Sequence, residues 1–249
     1  MRTPLCESLG IEYPLFAFTP SPAVAAAVSR AGGLGVLGAI RYTDPADFEA
    51  ALCWMDENTD GKPYGVDVVI PKKVEGGSNA SVEQIEAMIP PQHRDFVETV
   101  LAKFGVADLP PEEHAAGIVG WMHAHARAQV EVALRHKIAL IANALGSPPA
   151  DVIEAAHEKG VLVAALAGKP KHALAHKEAG VDIIVAQGHE AGGHCGEITT
   201  MVLVPEVVEM VAPLPVLAAG GIGTGAQVAA SIALGAQGAW MGSIWLTSA

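Results

Sequence analysis

The sequence predicts an α/β fold, a TIM (β/α)8 barrel, and three observations support this prediction. Short apolar runs alternate with helical patterns over nearly all of the 249 residues. Eight of these runs look buried rather than alternating between apolar and polar residues, which is typical of parallel strands covered on both faces. The composition, with 27 glycines and 5% aromatic residues, suits short strands joined to helices by glycine-bearing turns. A doubly wound open sheet is the alternative that fits the same pattern.

The predicted strands follow from the apolar runs, and the predicted helices follow from their caps. Ser21 and Asp44 are N-cap residues, and a proline occupies the first helical position after each of them. The strands are predicted at 15–18, 35–37, 64–70, 140–144, 162–166, 183–186, 216–219 and 239–241. The helices between them are predicted at 21–31, 45–55, 149–159, 170–179, 205–211 and 224–234.

Two features depart from a regular barrel pattern. Residues 71–128 contain charged helical pieces separated by proline pairs, so we expect a helical insertion or lid within a single domain that spans 1–249. The chain stops at Ala249, just after the eighth predicted strand, so the final helix is expected to be missing or truncated. A further segment or another subunit, as in a homodimer, would then cover the eighth strand.

Charge, hydropathy and cysteine content exclude several classes of protein. The chain has 15 Lys and Arg against 27 Asp and Glu, a net charge of −12, whereas nucleic-acid binding needs clustered cations. No apolar run reaches the roughly 18 residues of a membrane span, and the first 13 residues show no secretory signal. Cys6, Cys53 and Cys195 have neither a disulfide pattern nor zinc-ligand spacing. We therefore expect a cytoplasmic protein that acts on a small molecule and has no metal site.

The strongest motif is VLAAGGIGTGA at 216–226, a buried strand that runs through glycines into a helix. Glycines let the backbone approach an anion, and amides at a helix start favour one. A dinucleotide fingerprint also fits these letters, but Glu209 is the last charged residue, so the acidic ribose ligand expected about 20 residues later is absent. Gly242 and Ser243 end the eighth strand, and loops after strands seven and eight usually form the phosphate site of a TIM barrel. These residues predict a phosphate site without charged side chains, which suits the phosphate of FMN.

The second motif is QGHEAGGHCG at 187–196, directly after the sixth strand. It does not match a zinc-protease motif, because the second histidine of that motif would fall at Gly193. We interpret it as a glycine loop that lies against a flat ligand and directs His194 into the site, where an imidazole can exchange a proton or stabilise an anion. Asp67, at the end of the third strand, is a candidate acceptor for a flavin ring N–H or a solvated carboxylate. Lys169 and Lys171 follow the fifth strand and could meet an anion or simply be solvated.

Three segments of the sequence together resemble a known family. The segments EAGGH at 190–194, PVLAAGGI at 215–222 and MGS at 241–243 are similar to those of the nitronate monooxygenases, relatives of flavin-dependent enoyl-acyl-carrier-protein reductases. The likeness extends from Pro14 to Leu246 and is most specific over 187–243. It differs at FAFT, 16–19, where the family usually has Gln-Ala-Pro-Met, and at Asp67, where Asn is usual.

The resemblance implies a TIM barrel with non-covalently bound FMN and a catalytic histidine at His194. The flavin-contacting positions that it implies are Ala17, Phe18, Thr19, Asp67, Gln187, Gly193, Ala219, Gly220, Gly221, Gly242 and Ser243. The implied activity is the oxidation of a nitronate or a related small anion with oxygen. One alternative is an FMN-dependent dehydrogenase or reductase of a CoA thioester, because 62–67 and 185–188 resemble an actinobacterial branch linked to the degradation of steroid rings C and D. Another is a non-redox phosphate-binding barrel, and a third is a truncated chain without activity.

Overall fold

Eight parallel strands close into a barrel, and each strand pairs with its neighbours in chain order. The molecule is represented by a computed structural model that describes residues 2–70, 84, 87–107 and 123–247. The strands are β1 Leu15–Thr19, β2 Leu34–Gly38, β3 Tyr64–Val68, β4 Ile138–Asn143, β5 Leu162–Ala167, β6 Ile183–Gln187, β7 Val216–Ala219 and β8 Gly238–Met241. Parallel pairing of β1 with β8 closes the ring. The predicted TIM barrel is therefore confirmed, and the open-sheet alternative is wrong.

Helices surround the barrel wherever the structure describes the connections. They are α1 Pro4–Leu9, α2 Pro22–Arg30, α3 Pro45–Asn58, α4 Pro91–Phe104, α5 His123–Ala133, α6 Ala150–Glu158, α7 Pro170–Glu178, α8 Thr200–Val211 and α9 Gly225–Ala233. Ser21 and Asp44 cap α2 and α3 through their side chains, as predicted. None of the helices in the described part of the chain has the length and apolarity needed to cross a membrane.

The uniformly apolar strands divide their side chains between two layers. Alternate residues, such as Ile183 and Val185 on β6, fill the barrel interior together with Phe16 and Trp240. The intervening residues, such as Ile184 and Ala186, pack outward against the helices. Because side chains of a strand alternate between its faces, a strand buried on both faces is apolar at most of its positions. This is why the strands could be located from apolar runs alone.

The N-terminal helix α1 closes the bottom of the barrel, and the sequence pattern did not predict it. Leu5 and Leu9 join the interior cluster of the barrel. Gln237, just before β8, holds the start of the helix, because its side-chain oxygen accepts a hydrogen bond from the Leu5 amide at 3.0 Å. Its carbonyl accepts the Thr3 hydroxyl at 2.7 Å. A six-residue helix carries too few periods for its apolar positions to indicate a face.

Helix α8 begins five residues before its predicted start. The prediction placed Pro205 in the first helical turn, where proline is favoured. Instead Thr199 is the N-cap residue and Pro205 lies inside the helix. Proline at this position removes one hydrogen bond, which burial of Leu203, Val204 and Val207 offsets.

Most of the predicted insertion, 71–128, lies outside the described residues. The parts that are described contain α4 and the beginning of α5. Whether 71–128 forms a lid stays a prediction, and so does the division of the chain into one domain with an insertion.

Candidate active site

Two adjoining cavities open at the carboxyl ends of the strands, where active sites of TIM barrels lie. The glycine cavity, about 560 Å³, is lined by residues that include Phe18, Gly193, Ala219, Gly220, Gly221, Trp240, Gly242 and Ser243. The histidine cavity, about 710 Å³, is lined by residues that include Ser147, Lys169, His172, His176, His194 and Cys195. Leu166 and Gln187 line both cavities. Each volume falls within the range of about 300–1,000 Å³ of small-molecule sites.

The glycine turn after β7 requires glycine at two successive positions. Gly220 has φ 110° and Gly221 has φ 69°, both in the left-handed region that side chains disfavour. A Cβ on Gly220 would also lie 2.7 Å from the Thr200 hydroxyl oxygen, and one on Gly221 would lie 3.0 Å from Cβ of Glu190. The two glycines thus serve the turn itself as well as exposing backbone to the cavity.

Gln227 braces this turn, and we had not predicted a role for it. Its side-chain oxygen accepts the amides of Gly223, at 2.9 Å, and Thr224, at 3.0 Å. Its side-chain nitrogen donates to the carbonyl of Gly221 at 2.8 Å. Thr224 and Gln227 form a capping box at the start of α9. The amides of Gly223 and Thr224 are therefore already paired with the Gln227 side chain. The T-x-x-Q spacing is the signal that could have identified this brace.

The loop 188–196 lies across the mouth of the barrel in direct contact with three neighbouring segments. A Cβ on Gly188 would lie 2.4 Å from the Thr200 amide nitrogen, so the loop touches the start of α8. One on Gly192 would lie 2.3 Å from Oγ of Ser243, next to β8, and one on Gly196 would lie 2.3 Å from the carbonyl oxygen of Gly168, next to β5. The glycines therefore allow the loop to pack closely against these three segments, and this packing fixes the position of the loop next to the cavities.

Glu190 fastens the same loop to α8. Its carboxylate accepts the Thr200 amide at 2.8 Å and the Thr200 hydroxyl at 2.9 Å. Burial raises the pKa of Glu190, but the hydrogen bonds from Thr200 and the nearby His189 outweigh it and leave this pKa below its usual value. A carboxylate at a helix N-terminus also interacts favourably with the helix dipole.

The two histidines of the loop occupy different places. His194 lines the histidine cavity. His189 stabilises the loop itself: its amide donates to the Ile198 carbonyl at 2.8 Å, and its Nδ1 lies 3.2 Å from the carbonyl oxygen of Gly196. The Cys195 thiol contacts the His189 carbonyl at 3.5 Å, which suits a bystander rather than a nucleophile. Of these two histidines, His194 lines one of the two cavities described above and His189 lines neither.

A buried histidine in the wall of the histidine cavity was not among the predicted site residues. His176 is 3% exposed, and its Nε2 lies 3.0 Å from the Leu166 carbonyl oxygen, which can only accept a hydrogen bond. Nε2 is therefore protonated, and in the neutral ring Nδ1 accepts the hydroxyl of Ser147 at 2.8 Å. This contact fixes the orientation of the Ser147 hydroxyl on the cavity wall. Sequence spacing carries no sign of it, because the two residues are 29 positions apart.

The histidine cavity has a cationic side in an otherwise acidic protein. Lys169 lines it and lies 3.7 Å from Oε2 of Glu197, whose side chain is 90% exposed. Burial, together with the charges of Lys171 and Lys169, lowers the pKa of His172 below its usual value. Glu197 lines the same cavity, so an anion that enters it would meet the ammonium group of Lys169 beside a carboxylate.

Three predicted cofactor residues do not line either cavity. Ala17 is fully buried in β1, and the Thr19 side chain accepts the Ser21 amide at 3.2 Å. Asp67 is 4% exposed, and burial raises its pKa well above the usual range. A protonated carboxyl can both donate and accept a hydrogen bond, as the asparagine usual at this position in the resembled family does. The roles of Ala17, Thr19 and Asp67 stay predictions.

Comparison with known proteins assigns the chain to a family. The family model described as nitronate monooxygenase matches residues 2–249. The chain belongs to the nitronate monooxygenase family. This confirms the resemblance noted in the sequence, and this family is one of flavoenzymes.

Three proteins that are similar to this chain are longer than it is. A candidate monooxygenase of Mycobacterium tuberculosis is 50% identical over 100% of this chain and 67% of its own length. A Staphylococcus aureus protein named "Probable nitronate monooxygenase" is 31% identical over 98% of this chain and 67% of its own. A solved nitroalkane oxidase of Streptomyces ansochromogenes has a TM-score of 0.71 and 27% identity, with 97% of this chain and 68% of that chain covered. The chain thus spans about two thirds of the length of these relatives.

Proposed function

We propose that this protein is an FMN-dependent oxidoreductase that oxidises a nitronate, or a related small anion, with oxygen. The observation that carries this proposal is the junction of the two cavities at Leu166 and Gln187. A flavin in the glycine cavity would lie next to an anion in the histidine cavity. The family membership and the nitroalkane oxidase neighbour support the same reaction class.

The glycine cavity fits a flavin mononucleotide. Phe18 and Trp240 stack at 6.2 Å between ring centroids and form an apolar wall of this cavity. Gly193 also lines the cavity, and a Cβ on it would have nothing within 4 Å. The backbone of Gly221 and the hydroxyl of Ser243 can hold a phosphate. Two observations favour FMN over FAD. The cavity volume of about 560 Å³ suits one nucleotide, and no acidic residue follows the turn to bind the ribose of the adenosine half of FAD.

Bound FMN would supply the redox chemistry, and the protein supplies binding, orientation and electrostatics. His194 would orient a nitronate anion or remove the acidic proton of a neutral nitroalkane. Lys169 would attract the anion into the histidine cavity. The loop 188–196, held by Glu190 and by its contacting glycines, would keep the imidazole in the wall of the histidine cavity.

A pair of matched histidine variants tests the proposal. His194→Asn should slow the reduction of flavin by a neutral nitroalkane by about 10²–10⁴-fold, the usual contribution of an acid–base group, and should retain FMN. His189→Asn should be affected far less, since His189 lines neither cavity. Stopped-flow absorbance of the flavin measures both, and the released cofactor is identified by mass spectrometry. Release of FAD, a reversed order of the two variants, or loss of flavin from His194→Asn would contradict the proposal.

The alternatives differ in what the same assays would show. A reductase or dehydrogenase of a CoA thioester would oxidise or reduce that thioester instead of a nitronate, and a non-redox barrel would bind no flavin. No comparison supports either alternative.

The three cysteines are free, and two of them are exposed, which supports a reducing cytoplasmic location. A homodimer stays a prediction.

A further inference from the structure

A separate group of metal-binding side chain types lies on the outside of the barrel. Glu49 and Cys53 are one turn apart on α3, and His136 lies in the turn between α5 and β4. One ligand atom from each lies within 4.8 Å of the other two. None of the three lines the glycine cavity or the histidine cavity. The group is therefore independent of the proposed flavin chemistry.

The imidazole of His136 lies between two carboxylates. Its side chain is 6% exposed, with Nδ1 2.8 Å from Oδ2 of Asp56 and Nε2 3.2 Å from Oε1 of Glu49. A neutral imidazole has one N–H, so it can donate to only one of these two carboxylates. At the other nitrogen a lone pair would face a carboxylate oxygen. A metal cation bound by both this nitrogen and the carboxylate would replace the unfavourable contact with two coordination bonds.

Asp56 determines which nitrogen is available. Its other carboxylate oxygen accepts the Tyr64 hydroxyl at 2.8 Å, so the carboxylate is fixed in front of Nδ1. Nδ1 then carries the proton, and the lone pair of Nε2 points to Glu49. A carboxylate behind the distal nitrogen of a histidine is the usual support of a metal ligand. Arg135 pairs with Oε2 of Glu49, which leaves Oε1 directed to His136.

We propose that Glu49, Cys53 and His136 bind a divalent transition-metal cation, with Zn²⁺ as the best match. One nitrogen, one sulfur and one oxygen donor form a set typical of zinc. Tetrahedral zinc places its ligand atoms roughly 3.3–3.8 Å apart, from bond lengths of about 2.0–2.3 Å. The exposed Cys53 side chain must close the remaining distance of about 1 Å. The thiol releases its proton to solvent on binding, and water takes the fourth position.

Such a cation would act on the fold rather than on the reaction. It would join α3 to the turn before β4, two parts of the chain 87 positions apart. Metal binding to the folded state alone raises stability with the free metal concentration. Spacing in the sequence gave no indication of the site, because only Glu49 and Cys53 are close along the chain.

Thermal unfolding of the flavin-loaded protein with added Zn²⁺ tests this proposal. After treatment with a chelator, Zn²⁺ at about 100 times its dissociation constant should raise the unfolding midpoint by roughly 5–10 °C. Cys53→Ser, which changes an exposed residue, should lose at least half of this shift. The matched control Cys195→Ser should retain it. An equal shift in Cys53→Ser, or no shift in the unsubstituted protein, would overturn the proposal and leave Glu49 and Asp56 as the partners of His136.

Two readouts identify the ligands directly. Co²⁺ should give a sulfur-to-cobalt charge-transfer band, recorded as a difference spectrum against the same flavin-loaded sample without metal. The band should be absent from Cys53→Ser and present in Cys195→Ser. Zn²⁺ should also slow the alkylation of Cys53 by iodoacetamide at least tenfold, with Cys195 in the same digest as the internal control. A band that depends on Cys195, or unprotected Cys53, would refute the site.

Discussion

Two glycines of the loop 188–196 should respond to substitution in opposite ways. An alanine Cβ at Gly188 would lie 2.1 Å from the hydroxyl oxygen and 2.4 Å from the amide nitrogen of Thr200. The hydroxyl can rotate away, but the amide belongs to the first turn of α8, so the loop or the helix must move. Overpacking of this kind costs about 1–3 kcal/mol, which lowers the unfolding midpoint by roughly 2–12 °C in a protein of this size.

At Gly193 the same reasoning predicts a loss of binding without a loss of stability. A Cβ there has nothing within 4 Å, and the residue lines the glycine cavity. Gly193→Val should therefore change the stability of the flavin-free protein by no more than about 0.5 kcal/mol. If the cavity holds FMN, the added side chain should overpack the complex by about 1–3 kcal/mol and raise the dissociation constant roughly 5–150-fold.

Calorimetric unfolding of the flavin-free proteins and fluorescence titration with FMN separate these effects. Gly188→Ala should unfold at a lower temperature, and Gly193→Val should unfold like the unsubstituted protein but bind FMN weakly. Unchanged FMN affinity in Gly193→Val would show that the flavin does not reach this wall. Gly221 is a less informative position, because its φ of 69° and its contact with Glu190 disfavour any side chain whether or not a ligand is bound.

Two further predictions concern carboxyl groups with shifted pKa values. Asp67→Asn should raise the unfolding midpoint at pH 8 but not near pH 4. Burial raises the pKa of Asp67 in the folded state, so this residue lowers the stability of the fold only at pH values where the carboxyl of the unfolded chain is ionised. Equal midpoint changes at both pH values would refute this. Glu190→Gln should lower the midpoint at pH 7 by about 2–4 °C, the effect of losing about 1 kcal/mol of helix capping. Since the folded-state pKa of Glu190 lies below its usual value, its contribution is lost as the pH falls, and the two proteins should converge in acid.

The sequence by itself determined the barrel and the general position of its site. Strands buried on both faces are apolar at most positions, so runs such as residues 183–186 could be recognised without knowledge of their neighbours. The chain order of strands and helices then places the ends of β6, β7 and β8 side by side. This is why Gly193, Gly221 and Ser243, which are far apart in the chain, could be predicted to share one site.

Contacts between segments distant in the chain were decided by the tertiary structure alone. The start of α8 follows from the packing of Thr200 against Gly188 and Glu190, which outweighs the local preference that placed Pro205 at the helix start. The division of the site into two cavities, with His194 beside one and Gly193 beside the other, depends on where the loop 188–196 lies over the barrel. The approach of His136 to Glu49 and Cys53 likewise requires α3 and the turn before β4 to be packed together. A local pattern reports the burial and backbone conformation of its own residues, whereas the distance between two side chains far apart in the chain is fixed only when the elements that carry them have packed.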